Sequence, residues 1–221
     1  FNDASRTDAL IKKDIAKKLR LKSVSDVSAY KIIKKSLDAR KKPVLFYIYS
    51  VVLDMKMPPK ADKKFVSDYK KEKYKFPYAG AGNVAQKSGK RPVVVGFGPG
   101  GMFSALLLAR AGFKPIVLER GMDADSRSRD VEEYWNGGKL KLNSNVQFGE
   151  GGAGTFSDGK LYTGIGKSAG RVDFVLETFA DAGANEDILY EAHPHIGTDV
   201  LCDVVKNIRK EIISLGGEVR F

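Results

Sequence analysis

The chain has 221 residues, with 38 Lys plus Arg against 27 Asp plus Glu for a net charge of +11, two His, one Cys, 23 Gly and 43% apolar residues. That composition excludes wholesale disorder and suits one large domain or two modest ones. The longest uninterrupted apolar stretches, Val44 to Tyr49 and Ala105 to Ala109, fall far short of the roughly 20 residues of a membrane helix, so no membrane partner is expected. A lone Cys202 cannot make an internal disulfide, a CxxC redox pair or a Cys-based zinc site. No secretory-type segment opens the chain, and the expected setting is a soluble, reducing, cytoplasmic one. A start at Phe1 and a stop at Phe221, inside a strand-like run, read as a fragment of a longer protein.

The charge is divided unevenly. Residues 1–91 hold 24 Lys plus Arg and 9 Asp plus Glu, a net +15, whereas residues 92–221 hold 14 and 18, a net −4. Two modules are expected: a small basic α+β domain over 1–76, and a second over 92–221. The small, turn-forming residues of 77–91 (PYAGAGNVAQKSGKR) join them as a linker.

In the first module Leu10, Ile11, Ile15 and Leu19 fall at helical spacing, which predicts a helix from Thr7 to Leu21. Ser28 to Asp38 and Pro43 to Asp54 read as two strands joined by the polar turn Ala39 to Lys42, the second rich in β-branched and aromatic residues. A helix on an antiparallel hairpin follows. The Lys-rich run from Pro58 to Lys75 has no clear period.

The strongest chemical signal begins at Pro92, where PVVVGFGPGGMFSALLLARAGFKPIVLERG gives an apolar strand, a glycine turn, an apolar helix stopped at Gly112 and a second strand. Gly96, Gly98 and Gly101 complete GxGxxG: the first permits a tight turn, the second lets backbone approach a diphosphate, and the third lets helix pack close to strand. The helix that follows directs its free N–H groups and positive dipole end at that diphosphate. Glu119 ends the second strand, 18 positions after Gly101, where a carboxylate can accept from both hydroxyls of an adenosine ribose and would repel a 2′-phosphate. The strand before, the helix after and the acid at the required distance favour a dinucleotide site over a bare structural turn. NAD and FAD fit these residues alike.

After Glu119 comes an insertion, 122–196, in place of the short helix and strand of a plain nicotinamide domain. It contains QFGEGGAGTFSDGKLYT, Gln147 to Thr163, with Gly149, Gly151, Gly152, Gly154 and Gly159. So many glycines suit a chain taking unusual dihedrals or passing close to a ligand, and successive amides of such a loop can hold an anion. Because Phe148, Phe156, Leu161 and Tyr162 are unexplained by a loose surface loop, a cofactor-lining loop is the favoured reading.

VVVGFGPGGMFSALLLARAGFKPIVLERG resembles the FAD-binding start of the glutathione-reductase-type flavoprotein superfamily. NVQFGEGGAGTFSDGKLYT with PHIGTD resembles a family of FAD-dependent dehydrogenases within it, and KSLDARKK before a strand is similar to the small domain preceding the flavin domain there. The resemblance implies an incomplete α/β dinucleotide-binding (Rossmann-like) fold and an FAD-dependent oxidoreductase with unassigned substrate, electron donor and acceptor. By that resemblance Gly96, Gly98, Pro99, Gly100, Gly101 and Glu119 would hold the ADP half of FAD, with Arg120 beside it. Gly149, Gly151, Gly152, Gly154 and Thr155, in the loop running to Ser157, would approach the diphosphate and flavin. Gly100 departs from the Ala frequent there, and the redox cysteine pair of disulfide reductases is absent.

The remaining features have plainer readings. Val172, Val175, Leu176 and Phe179 mark a core helix over Gly170 to Ala182; Leu201, Val204, Val205, Ile208 and Ile212 mark another over Thr198 to Leu215, with Gly216-Gly217 as its stop and Cys202 a small buried side chain on it. Glu218 to Phe221 would begin the third strand of the parallel sheet. His193 and His195 adjoin the last helix without a third metal ligand, and a structural role is favoured over catalysis. Arg127 and Arg129 either reach cofactor phosphates or face solvent. An NAD-binding dehydrogenase is the rival reading. A third, less favoured reading has the +15 module binding nucleic acid through its lysines and nearby aromatics.

Overall fold

The computed structural model describes residues 4–27, 29–56, 58, 60–82, 89–156, 159–161, 163–164 and 170–221. Ser28, Ser157 and Tyr162, all named above, lie outside the described residues, as do 83–88 of the expected linker. The architecture is mixed α/β with two sheets, one of two antiparallel strands and one of three parallel strands. The chain divides into two compact units, Phe1–Glu72 with Leu189–Ala192, and Lys73–Ile188 with His193–Phe221. Among the described residues no helix is long and apolar enough to cross a membrane.

The first unit consists of helix α1 (Ala4–Leu19) and strands β1 (Tyr30–Asp38) and β2 (Phe46–Leu53). The strands pair antiparallel from Tyr30↔Leu53 to Asp38↔Phe46, with an irregularity between Ile32 and Lys34. The helical stripe buries Ile11, Ile15, Ala16 and Leu19 with Val27 and Ala61, and Tyr30, Ile32, Tyr49, Val51 and Leu53 pack against them. These strand residues lie two apart, so in this half of the hairpin alternate side chains face the α1 core, whereas Phe46, Tyr47 and Ile48 are exposed. At the edge of this core the Tyr30 hydroxyl donates to Asp8 Oδ1 at 2.8 Å. Burial, then that hydrogen bond, pushes the phenol up to about 12. Leu189–Ala192 joins the unit at the outer edge of β1: Lys35 N–H donates to Tyr190 O at 2.7 Å, Ala192 N–H donates to Lys35 O at 2.9 Å, and Lys35 Nζ pairs with Glu191 Oε1 at 2.7 Å.

In the second unit β3 (Val93–Val95) and α2 (Pro99–Arg110) lead to β4 (Ile116–Leu118). After α3 (Ala124–Trp135) and α4 (Arg171–Asp181), α5 (Thr198–Ser214) leads to β5 (Glu218–Arg220). The strand order is β3-β4-β5, all parallel, with Val94 opposite Val117 and Val117 opposite Val219. Pro99 sits at the first turn of α2, where its missing N–H costs nothing, and an Ala- and Leu-rich run carries the helix to Arg110. Asp123 caps α3, its carboxylate accepting from the N–H groups of Asp125 and Ser126 at 3.1 Å each. Burial alone would raise the Asp123 carboxyl; these hydrogen bonds overcome it and leave the group below its ordinary value.

The core of this unit lies under one face of the sheet, with Val117 of β4, Met102, Ala105 and Leu106 of α2 and Val204, Val205, Ile208 and Ile212 of α5 all buried. Phe103 stacks edge-on against Phe174 and Phe179, linking α2 to α4. The opposite face is open, with Val93 57% and Val95 84% exposed. Segment 73–82 belongs to this unit: the Tyr74 ring lies 5.2 Å from that of Phe174, and buried Gly82 donates its N–H to Ala111 O at 3.0 Å.

Candidate functional site

The first glycine turn connects β3 to α2. Gly96 takes φ +91°, and its N–H donates to Leu118 O at 2.7 Å, which ties the turn to β4. Gly101, on the first turn of α2, is where close approach decides the residue type: a Cβ there would lie 1.9 Å from Gly96 O and 3.5 Å from a Val94 methyl. The helix therefore sits against the strand as closely as backbone allows. Gly98 is the N-cap of α2 and provides no side-chain cap, so the first N–H groups of the helix lack the usual side-chain acceptor and are suited to an anion. The space beside Gly98 and Gly100 is open: the nearest atom to a Cβ on Gly98 would be Gly152 Cα at 3.9 Å, and Gly100 meets nothing within 4 Å.

Glu119 follows β4 and turns back on this loop. Its Oε2 accepts from Phe97 N–H at 2.6 Å and its Oε1 from Gly121 N–H at 2.9 Å. A carboxylate has about four acceptor positions, so two amide bonds leave capacity for two hydroxyls. Arg120 points outward along the loops, its guanidinium 3.7 Å above the Phe148 ring and its Nη2 3.5 Å from Leu142 O.

The second glycine loop lies on the first. Gly151 N–H donates to Phe97 O at 2.9 Å, and Glu150 N–H donates to Met122 O at 3.0 Å. At Gly152, with φ +65°, a Cβ would fall 3.2 Å from Gly98 Cα and 3.3 Å from Pro99 Cδ. Only a residue without a side chain lets the loops meet at this point in a left-handed conformation. Thr155 is buried and turns inward, its Oγ1 3.5 Å from Glu150 O, while Gly154 has open space about it. The structure thus brings Gly96, Gly98, Pro99, Gly100, Gly101, Glu119, Gly151 and Gly152 to one place, while within the second loop Gly149 lies against Arg127 and Thr155 turns to Glu150 O.

Two charged side chains that the motifs did not single out hold this arrangement. Arg127 is fully buried and reaches neither solvent nor the open side of the turn, contrary to both sequence readings. Its donors are taken up by main-chain carbonyls of the loop, and burial lowers its pKa. Glu150, between two glycines of the loop, is also fully buried. Its Oε2 accepts from Ala124 N–H, the first residue of α3, at 2.7 Å. Its Oε1 lies 3.0 Å from Arg209 Nε as an ion pair, yet no hydrogen bond is aligned on that oxygen. Burial pushes the Glu150 carboxyl up, outweighing the Ala124 amide and Arg209. Arg129 stays at the surface, donating to Ser126 Oγ at 3.0 Å.

His193 and His195 are exposed, and their segment is held through backbone: Ile196 N–H donates to Gly159 O and Leu161 N–H to Pro194 O, each at 2.9 Å. Cys202 is half-buried on α5, and burial raises its thiol pKa. Among the described residues no group of His, Cys, Asp and Glu is placed to hold a metal ion.

Residues 3–54, which include all of α1, β1 and β2, match the family described as Domain of unknown function (DUF8436). A Clostridium beijerinckii protein described as "Uncharacterized protein" is 48% identical over 216 residues, which cover 96% of this chain and 39% of that protein. The chain therefore spans about two fifths of the length of this relative.

Proposed function

We propose that the unit formed by Lys73–Ile188 and His193–Phe221 is the dinucleotide-binding part of an FAD-dependent oxidoreductase of the glutathione-reductase type. The observation that carries this reading is the convergence of the Gly96–Gly101 turn, Glu119 and the Gly149–Thr155 loop on the uncapped start of α2. The sheet order also supports it, since β5-β4-β3 corresponds to the 3-2-1 half of a doubly wound Rossmann sheet, whose ligands lie at the carboxyl ends of the strands.

The residues present fit the cofactor. The open space beside Gly98 and Gly100 admits a diphosphate against backbone, and the first amides of α2 donate to it and favour its charge. Glu119 holds the adenosine ribose through its remaining acceptor positions and disfavours a 2′-phosphate. Arg120, stacked on Phe148, bounds the adenosine side. When bound, the flavin accepts a hydride or electrons from a reduced donor, the protein supplying binding and orientation.

Thermal shift with FAD and NAD added separately tests the reading, because a ligand that binds only the folded state raises apparent stability. FAD is expected to raise the melting temperature and to stay with the protein through gel filtration, with flavin absorbance near about 450 nm. A shift with NAD alone would assign the same turn to a nicotinamide dinucleotide, and no shift with either would remove the proposal.

A further inference from the structure

Arg127 is the largest fully buried side chain among the described residues, and a guanidinium out of water is costly unless its donors are met. Nε donates to Asn145 O at 2.8 Å, Nη1 to Glu150 O at 2.7 Å and to Gly149 O at 3.4 Å, and Nη2 to Val146 O at 3.1 Å. The Phe156 ring lies 4.7 Å from its central carbon. Among the described residues no carboxylate forms an ion pair with it. Apolar packing between α3 and the loop would cost less; what the guanidinium adds is control over four peptide groups. A trans peptide is planar, so drawing Glu150 O toward Arg127 turns Gly151 N–H the opposite way, onto Phe97 O. At Gly149 a Cβ would lie 2.5 Å from Arg127 Cδ, so the loop backbone rests directly on the arginine.

We infer that Arg127 is a positioning residue for the dinucleotide site: its hold on the carbonyls of Asn145, Val146, Gly149 and Glu150 fixes the second glycine loop against the Gly96–Gly101 turn, so that both backbones line the cofactor diphosphate. The inference rests on the dinucleotide reading above. Lysine cannot substitute, because one ammonium on a flexible stem does not reproduce a planar fork serving four carbonyls.

The test measures FAD dissociation constants, melting temperature and backbone hydrogen exchange for the 221-residue chain and its R127K, R127Q and V131A variants. Val131 is buried on the same helix and its apolar side chain makes no hydrogen bond, so V131A reports general destabilisation. R127K and R127Q are expected to weaken FAD binding by about tenfold or more, since small misplacements of a binding shell are costly. They should also speed exchange at the amides of 149–155, while V131A lowers the melting temperature and keeps FAD affinity within about twofold. Wild-type affinity in R127K, or equal loss in V131A, overturns the positioning role. If the unsubstituted chain binds no FAD, the dinucleotide reading falls and takes the ligand-positioning role with it. Exchange in R127K then separately decides the clamp: faster exchange confined to the loop retains it, and unchanged exchange removes it.

Discussion

The two glycine loops meet at Phe97 and Gly152 but are made rigid in different ways. The Gly96–Gly101 turn is fixed locally, by the strand before it, the helix after it and a backbone approach so close that Gly101 has no room for a Cβ. Among the described residues the Gly149–Thr155 loop has no regular strand or α-helix directly on either side. It is held by contacts remote in sequence: Arg127 takes up its carbonyls, and Glu150, from within the loop, accepts from Ala124 N–H at the start of α3. A local device leaves its mark in a short motif, whereas a remote one leaves only an ordinary-looking arginine. Substitutions in the first loop should therefore act mainly on stability, and those in the second on geometry and affinity.

The largest effect is expected at Gly101. A methyl there would sit 1.9 Å from Gly96 O, a backbone atom that cannot move without shifting β3 or α2. Gly101→Ala should cost about 3 kcal/mol or more, read as a drop in the urea midpoint without a change in slope. A loss of under about 1 kcal/mol would show that the turn is not packed as closely as described.

Gly152→Ala tests the second loop at the same junction. The left-handed φ of +65° and contacts of 3.2 and 3.3 Å with Gly98 and Pro99 both oppose a side chain. Chirality alone sets about 1–2 kcal/mol, smaller than at Gly101 because the loop can retreat from the turn. FAD affinity should fall further than that stability loss implies. Equal stability with wild-type affinity would mean that the loop contact has no part in binding.

The difference between the loops also explains what the sequence made legible. β3, α2 and β4 follow from VVV, PGGMFSALLLAR and IVL, where period, Pro at the helix start and Gly112 at its end agree. The parallel third strand likewise follows from the stop at Gly216-Gly217. Glycine density marked the second loop, but not its clamp: Arg127 lies 18 to 23 positions from the carbonyls it binds, and in ADSRSRD it has the pattern of a surface helix. Glu150, flanked by glycines, reads as a loop charge and is buried. In the first unit α1 starts and ends earlier than the expected Thr7 to Leu21, and Leu189–Ala192 joins β1 by main-chain hydrogen bonds that no side-chain pattern announces.

A smaller effect is expected where the clamp meets α3. Asp123 caps the helix that carries Arg127, so Asp123→Ala should cost about 1 kcal/mol at neutral pH. The folded-state pKa of Asp123 lies below its ordinary 3.8, so the stability it contributes is present above that value and is lost as pH falls through the folded pKa. The wild type and D123A should therefore differ in urea midpoint at pH 7 and converge in strong acid.

Glu150 has the opposite sign and sets the smallest expected effect. Its folded pKa is raised above the ordinary 4.5 because burial opposes the charge. The folded state thus binds this proton more tightly than the unfolded chain. Glu150 favours folding most fully below pH 4.5, and that contribution is lost as pH rises through the folded pKa. Ala124 N–H and Arg209 stabilise the ionised form, while Asp123 and Asp125 oppose it, so the net effect at pH 7 is a remainder of competing terms. Glu150→Gln keeps an acceptor for Ala124 N–H but removes the titration, and at pH 7 it should change stability by under about 1 kcal/mol. Measured from pH 4 to 7, the stability advantage of wild type over E150Q should shrink as pH rises. An advantage that grows with pH would instead make the Arg209 pair the dominant partner, and the loop would then be held by an ion pair to α5 more than by the amide at the start of α3.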